Sequence, residues 1–414
     1  MDTLTQNSAS GLPVAADGML DLNGLARKLL EECLNTVMDE QADELLGEGN
    51  RRNGYRERKL NTCIGPITLR IPKLREGTYF PDDILKPYSR TDRAMIAAIA
   101  ETYKLGLSHR KIEKVASDLH FGELSSSTIS RMCISLDDEV EDLRRARFEG
   151  TYPYLWLDAT YLKCRDEGRV RSVAVVTAIA LCPDGSRRFV GIDCVDTESR
   201  ASWREFLLDL RKRGIAGVSC VVSDDHAGLV RAIQEVFPGA TWQRCIVHLE
   251  RDVLGRFSRK ADRARAGRAL KAIFSQRDPA LVREMYAQAI TEIGKIERRA
   301  GELLEDARED ALAYLSFPYE HHIRLRTNTV QERANREIKR RTNAVQTFPS
   351  AASMMRLVGA VCADMNDEWS HSGFMDVRNK ERWGVRTAYE NNPVSAEIAG
   401  KAALLLAEAL RPVA

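Results

Sequence analysis

The sequence has no hydrophobic run long enough to cross a membrane. Its longest apolar stretch, Ser172 to Cys182, is bounded by Arg171 and Pro183 and falls well short of the about 20 residues a spanning helix needs. No membrane partner is expected. There is no CxxC pair. The nine cysteines, an odd number, are scattered, which argues against a disulfide framework and for a reducing compartment. The opening MDTLTQNSAS has neither a basic n-region nor an apolar h-region, so no signal peptide is read and a cytoplasmic protein is expected. Internal repeats and long low-complexity tracts are missing too. Nor does one sign of charge dominate: 62 Lys/Arg stand against 60 Asp/Glu. Total charge therefore names no partner. What remains is an ordinary globular balance, 44% hydrophobic and 29% charged over 414 residues, with room for two or three domains.

The distribution of charge says more than its sum. Arg324 to Arg341 holds seven Arg/Lys against two Glu, and Arg256 to Lys271 holds seven against one Asp. Such concentrations suit a polyanion, with counterion release as the driving term; a solvated helix face is the blander reading of either run alone.

Along the chain, residues 1–18 are polar and read as a loose N-terminus. Residues 19–90 begin with helical spacing from Leu20 to Leu46. A turn rich in arginine follows at Asn50–Arg58, carrying Arg51, Arg52, Arg56 and Arg58, and then a hairpin of Leu60–Ile64 and Ile67–Ile71 around Gly65-Pro66. Residues 91–150 read as helical. Thr91 is placed as an N-cap, Gly106 as a stop, and a helix from Ser108 to Gly122 precedes a second one led by Ser125-Ser126-Ser127. This layout suits a helix-turn-helix, in which the second helix reads base edges. Ser126, Ser127, Thr128 and Arg131 are then the readers. The alternative is an ordinary helical hairpin.

From Tyr152 the texture changes to three strands, helix, strand, helix, strand, a meander extended by a crossover into parallel pairing. Residues 151–250 thus form one α/β segment, 251–320 a helical stretch, 321–370 a return to helix bearing further acid and base, and 371–414 a tail with an amphipathic helix over Ala396–Leu410.

Acids sit where strands should be apolar. Asp158 interrupts the run Leu155-Trp156-Leu157, and Asp224 ends a later strand. The meander and crossover bring those two strands side by side. Two facing carboxylates repel unless a divalent cation lies between them, and hard oxygens on a rigid sheet suit Mg²⁺. Two such ions serve phosphodiester chemistry. Asp225 competes with Asp224, and alternation allows only one of the pair to face the site. A third carboxylate is best supplied by Glu332, which opens a helix carrying Arg333, Arg336, Lys339, Arg340 and Arg341; Glu337, five residues on, is turned away from it. Cys245 and His248 have CxxH spacing. A structural zinc wants four ligands and no second pair lies nearby in sequence, so these two read as packing behind the acids.

The blocks RRNGYRERKL, PYLWLDATYLK, ASWREFLLDLRKRG, SDDHAGL, FPGATWQRCIVHLERDVL and QERANREIKRRT, with FPS and LVGAV after them, resemble the Mutator-type bacterial insertion-sequence transposases, in order from about residue 50 to 370. The resemblance implies an α/β ribonuclease H-like core with a mixed five-stranded sheet, interrupted by an all-helical insertion and preceded by a helical DNA-binding region with its small hairpin. It implies a DDE triad of Asp158, Asp224 and Glu332 holding two Mg²⁺, with Mn²⁺ as a substitute, and a supporting role for His226, Cys245 and His248. It also implies double-stranded DNA partners (terminal inverted repeats and target), at least a dimer, and a bacterial, nucleoid-associated setting. One position departs from the pattern: the Asn three residues before the Glu is here Thr329, with Asn328 one step earlier. The expected function is DNA strand cleavage and strand transfer at element ends. The competing readings are a DNA-binding regulator that no longer cuts and a nuclease that cuts without joining.

Overall fold

The computed structural model describes residues 6–7, 13–14, 19–46, 50–85, 91, 93–119, 121, 124–166, 168–376 and 395–411. The chain divides into two units, Met1–Asp138 with Arg341–Val345, and Glu139–Arg340 with Gln346–Ala414.

In the first unit two short strands, β1 (Gln6–Asn7) and β2 (Pro13–Val14), pair antiparallel; the rest of the N-terminal stretch expected to be loose lies outside the described residues. Helix α1 (Leu22–Glu44) starts at Asp21, whose carboxylate accepts from the Gly24 N–H at 2.9 Å. The hairpin is longer than expected. Strands β3 (Arg52–Thr62) and β4 (Gly65–Leu74) pair from Arg52↔Leu74 to Thr62↔Gly65. The segment Asn50–Arg58, expected as a turn, is therefore mostly strand. Its charge hid it. Period-two burial is carried by the partner, where Ile67, Leu69 and Ile71 pack with Met38 of α1, Leu60 and Leu85. The charges of β3 meanwhile find partners outside the core: Arg52 pairs with Asp39 and Asp43, one turn apart on α1, at 2.8 and 2.5 Å, and Arg58 lies over the Phe80 ring. Gly54, at φ +77°, sits inside a register shift between Arg52 and Tyr55.

Helices α2 (Arg93–Lys104), α3 (His109–Asp118) and α4 (Ser126–Met132) follow. A 3₁₀ turn over Cys133–Ser135 then breaks the expected long helix before α5 (Leu136–Arg145). Thr91, expected as a cap, forms an isolated bridge with Asn61. Gly106 ends α2 at φ +84°, and a Cβ there would meet the Arg341 backbone at 2.7 Å. Gly122, placed in the turn before α4, lies outside the described residues.

The second unit is mixed α/β around one five-stranded sheet. Its strands are β5 (Tyr154–Asp166), β6 (Arg169–Leu181), β7 (Arg187–Val195), β8 (Cys220–Ser223) and β9 (Thr241–Arg244), in the order β7-β6-β5-β8-β9. The first three pair antiparallel, and β8 and β9 add in parallel, as the expected meander and crossover require. Two helices, α6 (Arg200–Lys212) and α7 (Ala227–Val236), bury Trp203, Phe206, Leu207, Leu229 and Ile233 against Leu155, Leu157, Val176 and Ala178 on one face. Ser199 and Ser202 cap α6 reciprocally. Gly214 follows α6 at φ +111°, where a Cβ would lie 2.0 Å from the Phe148 carbonyl oxygen, so only glycine fits.

Beyond β9 the chain is helical: α8 (Ile246–Leu254), α9 (Lys260–Phe274), α10 (Pro279–Ile296), α11 (Arg298–Asp306) and α12 (Arg308–Ala311). Gln243 joins this stretch to the sheet edge, donating to the Ala311 carbonyl at 3.0 Å and accepting from the Tyr314 N–H at 2.6 Å. Then come α13 (His322–Leu325), α14 (Thr329–Thr342), α15 (Ala351–Ser370) and α16 (Ala396–Ala409). Part of the basic charge of α9 serves packing. Arg265 and Arg268 donate to the Leu410 and Ala409 carbonyls at 2.7 and 3.1 Å, satisfying the open C-terminus of α16. Among the described residues, no helix is long and apolar enough to cross a membrane.

Candidate active site

Strand alternation splits β5 between two faces. Leu155 and Leu157 enter the core under α6 and α7. Tyr154, Trp156 and Asp158 turn to the other face. There the Tyr154 hydroxyl meets His321 Nδ1 at 2.8 Å, and the Trp156 indole donates to the Arg324 carbonyl at 3.1 Å. Asp158 stands mid-strand because this face is covered by a helix end that brings polar groups to it.

The parallel register places the second acid. Trp156 pairs with Val222; two residues on, Asp158 is level with Asp224, just past the end of β8, on strands spaced at about 4.8 Å. Asp225, its neighbour, is exposed and ion-paired with Arg244 of β9. Alternation thus resolves the adjacent acids: Asp224 faces the site and Asp225 the sheet edge.

The third acid arrives on α14, whose start is bolted to β5 through three amides on one helical face. Asn328 donates to the Leu157 carbonyl at 2.9 Å, Gln331 to the Trp156 carbonyl at 2.6 Å, and Asn335 to Asp158 Oδ2 at 2.7 Å. Thr177 opposite Asp158 on β6 donates to Gln331 Oε1 at 3.0 Å. Glu332 lies on this same face, one turn before Asn335. Its Oε1 is buried and has no hydrogen-bond partner. Glu337 turns outward and holds Arg340 at 2.6 Å.

The electrostatics follow from crowding. Burial, then the charge of Asp224, pushes Asp158 up to about 7, with Glu198 and Glu332 adding to the rise. Asp224 is also raised, by burial and then by Glu198, against an opposing pull from His248 and His226. Asn335 and the Ala159 N–H, at 2.9 Å, are the donors to the Asp158 carboxylate, and neither carries charge. Among the described residues, no three acidic, His or Cys side chains stand close enough to enclose an ion in this arrangement. The donor set nonetheless suits a hard cation, with oxygens only, like charges held together, and one buried carboxylate oxygen unpaired.

The supporting residues sit behind the acids. His226 caps α7, its Nδ1 accepting from the Leu229 N–H at 3.3 Å, so a neutral ring carries its proton on Nε2. Cys245 precedes α8, fully buried, and its sulfur accepts from the Asn328 N–H at 3.2 Å. Burial raises its thiol. Nδ1 of His248 is buried without a partner. Cys245 therefore holds the residue that holds β5.

The family model for transposases of the Mutator family matches residues 3–372. The chain belongs to this family. Similar proteins include the transposase for insertion sequence element IS1081 of Mycobacterium tuberculosis, 38% identical over 355 residues that cover 83% of this chain and 85% of the relative. The transposase for insertion sequence element ISRM5 of Rhizobium meliloti is 35% identical, covering 89% of this chain and 94% of its own. The transposase for insertion sequence element IS256 in transposon Tn4001 of Staphylococcus aureus is 33% identical, covering 84% and 92%.

Several features of this family member escape a reading by residue type. Asn328 is fully buried and bonds the Leu157 carbonyl of β5. Gln331 and Asn335 complete its stripe, and their spacing of three and seven from Asn328 is a signal present in the sequence. Glu198, after β7, reaches the site electrically and accepts from the Trp203 indole at 3.3 Å; it looks in sequence like any acid before a helix cap. Replacing buried Gln331 by Leu removes the donor to the Trp156 carbonyl and leaves the Thr177 hydroxyl only its longer bond to the Asp158 carbonyl, at 3.4 Å. Thermal unfolding is expected to show a loss of about 2–4 kcal/mol; an unchanged midpoint contradicts the role of this clamp.

The residues expected to touch DNA differ in exposure and in the bonds they make. Arg51, Arg56, Ser126, Ser127, Arg131, Arg333, Arg336 and Lys339 are exposed. Ser126 donates to Glu113 of α3 at 2.8 Å, and Arg131 to Thr128 at 3.3 Å. Arg52 is held by α1, as above. Arg340 is exposed but paired with Glu337. Arg341 is buried and donates to the Lys104 carbonyl at 3.2 Å, where it closes the end of α2.

Proposed function

We propose that the chain cuts and rejoins DNA at the ends of a bacterial insertion sequence, using Asp158, Asp224 and Glu332 as a DDE triad on a ribonuclease H-like core. The observation that carries this reading is the convergence of β5, the end of β8 and the first turn of α14, with α14 fixed to β5 by Asn328, Gln331 and Asn335. The membership of the family and the names of its relatives agree with it.

The three carboxylates would hold two Mg²⁺, or Mn²⁺, which when bound supply an acidified nucleophile and neutralise the leaving oxygen in phosphodiester exchange. The remaining work falls to the chain. Asn335 holds Oδ2 of Asp158 and the Ala159 N–H holds Oδ1, which together orient the carboxylate while each oxygen keeps a second lone pair for the site. Gln331 and Asn328 fix the height and rotation of α14, so the backbone of Glu332 is held in place beside β5. His226 and His248 moderate the charge on Asp224. The exposed Arg333, Arg336 and Lys339 follow Glu332 on the same helix and bind backbone phosphates. Helices α3 and α4 act as a helix-turn-helix on the terminal inverted repeats, through Ser126, Ser127, Thr128 and Arg131. Joining two ends at once calls for at least a dimer.

The test is a strand-transfer assay with purified protein, Mg²⁺ and duplexes bearing the element's ends. Cleaved 3′ ends joined to a second duplex are expected. Binding without nicking would favour a silent regulator, and nicked but never joined product a simple nuclease.

A further inference from the structure

On the flank of α14 away from the acids lies a cavity of about 350 Å³ lined by arginine and aromatic side chains, with no acid among them. Arg187, the first residue of β7, is held between Trp369 and Phe374, its guanidinium carbon 4.5 and 4.8 Å from their ring centroids. Arg324 lies 4.6 Å from the other approach to Phe374, and Arg333 of α14 completes the cationic wall. Trp369 is in turn stacked on Phe189 at 5.2 Å. Both faces of that ring are therefore occupied, one by Phe189 and the other by Arg187, which leaves no platform for a base. The aromatics serve to fix cations.

Four arginines line the cavity with no carboxylate among its walls; Arg326 donates to the Phe274 carbonyl, and gathering the other three guanidinium groups is costly. The Nε of Arg187 is buried and has no hydrogen-bond partner, and the approach of Arg324 and Arg333 adds repulsion after the cost of burial. A planar fork with open donors matches the oxygens of a phosphate. The cavity adjoins Thr329, Val330 and Arg333, roughly 100° around α14 from the face that carries Glu332. The pocket and Glu332 therefore share the first turns of α14 on neighbouring flanks.

We propose that the Arg187–Arg324–Arg333 pocket binds a backbone phosphate of the DNA strand on which the acids act. It rests on the functional reading above and adds to it a fixed phosphate position beside the reacting one. The pocket sets the register of the strand. A free inorganic phosphate presents the same chemistry, and the two sources are separable by experiment.

Binding of an end-bearing duplex is measured by fluorescence anisotropy in EDTA across a range of salt. Arg324→Gln, at an exposed side chain, and Arg187→Gln are each expected to weaken binding about tenfold and to reduce the salt slope by about one. Arg187→Lys retains the slope, and this separates loss of charge from loss of fold. A single uncharged methylphosphonate, walked along the duplex, weakens the wild type at one position and has no further effect there in Arg324→Gln. The proposal is overturned if the wild type binds the duplex while both Gln variants keep its slope. It is equally overturned if inorganic phosphate raises the wild-type unfolding midpoint through these arginines with DNA binding untouched. If the wild type binds no DNA at all, the functional reading falls and takes this assignment with it.

Discussion

Asp158→Asn is expected to slow end cleavage and joining by at least about 1,000-fold while leaving affinity for the end duplex within about twofold. The substitution keeps the shape of the side chain and, through its one remaining oxygen, the bond from the Ala159 N–H; its new NH2 faces Asn335, whose amide turns to offer the otherwise unpartnered Oδ1, so β5 and α14 stay in place. It removes one of the charges that the site concentrates. Electrostatic stabilisation of charge that develops during reaction is worth several kcal/mol and is lost almost whole when the fixed charge goes. Asp224→Asn should behave alike. Asp225→Asn is the control: its carboxylate is exposed and engaged by Arg244, and its loss should change the rate by less than about tenfold. Gel-resolved single-turnover assays with Mg²⁺ measure all three. Equal damage from Asp224→Asn and Asp225→Asn would undo the assignment of the second acid, and full activity in Asp158→Asn would undo the site.

The order of strands and helices in the second unit was legible because its signals are local. Runs such as SVAVVTAIAL and VSCVV can be little but buried strand, and the crossover rule then brings Asp158 beside Asp224. The stripe Asn328, Gln331, Asn335 was readable only as polarity on a helix. That its amides replace ladder partners for β5 is a fact of tertiary packing. The charged part of β3, Arg52–Arg58, reads as a turn because its residues advertise charge, and the neutralisation of Arg52 by Asp39 and Asp43 comes from another element. The basic run Arg256–Lys271 shows that charge in a sequence also serves packing: Arg265 and Arg268, two of its seven cations, donate to carbonyls at the end of a helix 141–145 residues away. Arg341, within the other basic run, is likewise buried against a backbone carbonyl. Charge density in a sequence does not say which cations remain for a ligand; Arg187, outside both basic runs, is the one the proposed phosphate pocket is built around.

A second large effect concerns acidity. Asp158 is raised from 3.8 to about 7 in the folded chain, mainly by burial and by Asp224. Between those values the folded site retains a proton that the unfolded chain has released. The corresponding stability is full below the unfolded pKa and is lost as pH rises through about 7. For Asp158 the loss amounts to about 2–4 kcal/mol, and the raised Asp224 adds in the same direction. In EDTA, the wild-type unfolding midpoint should therefore fall by several degrees between about pH 5.5 and about pH 8. Asp158→Asn should remove most of this fall and be the more stable protein at about pH 8, though inactive. Mg²⁺ should restore the wild type at the higher pH and do little at the lower, where protons occupy the same oxygens. Calorimetry on both proteins, with and without the ion, measures each arm. Parallel pH profiles for wild type and Asp158→Asn would show that these acids are not held against one another, and the case for a shared cation would lose its physical basis.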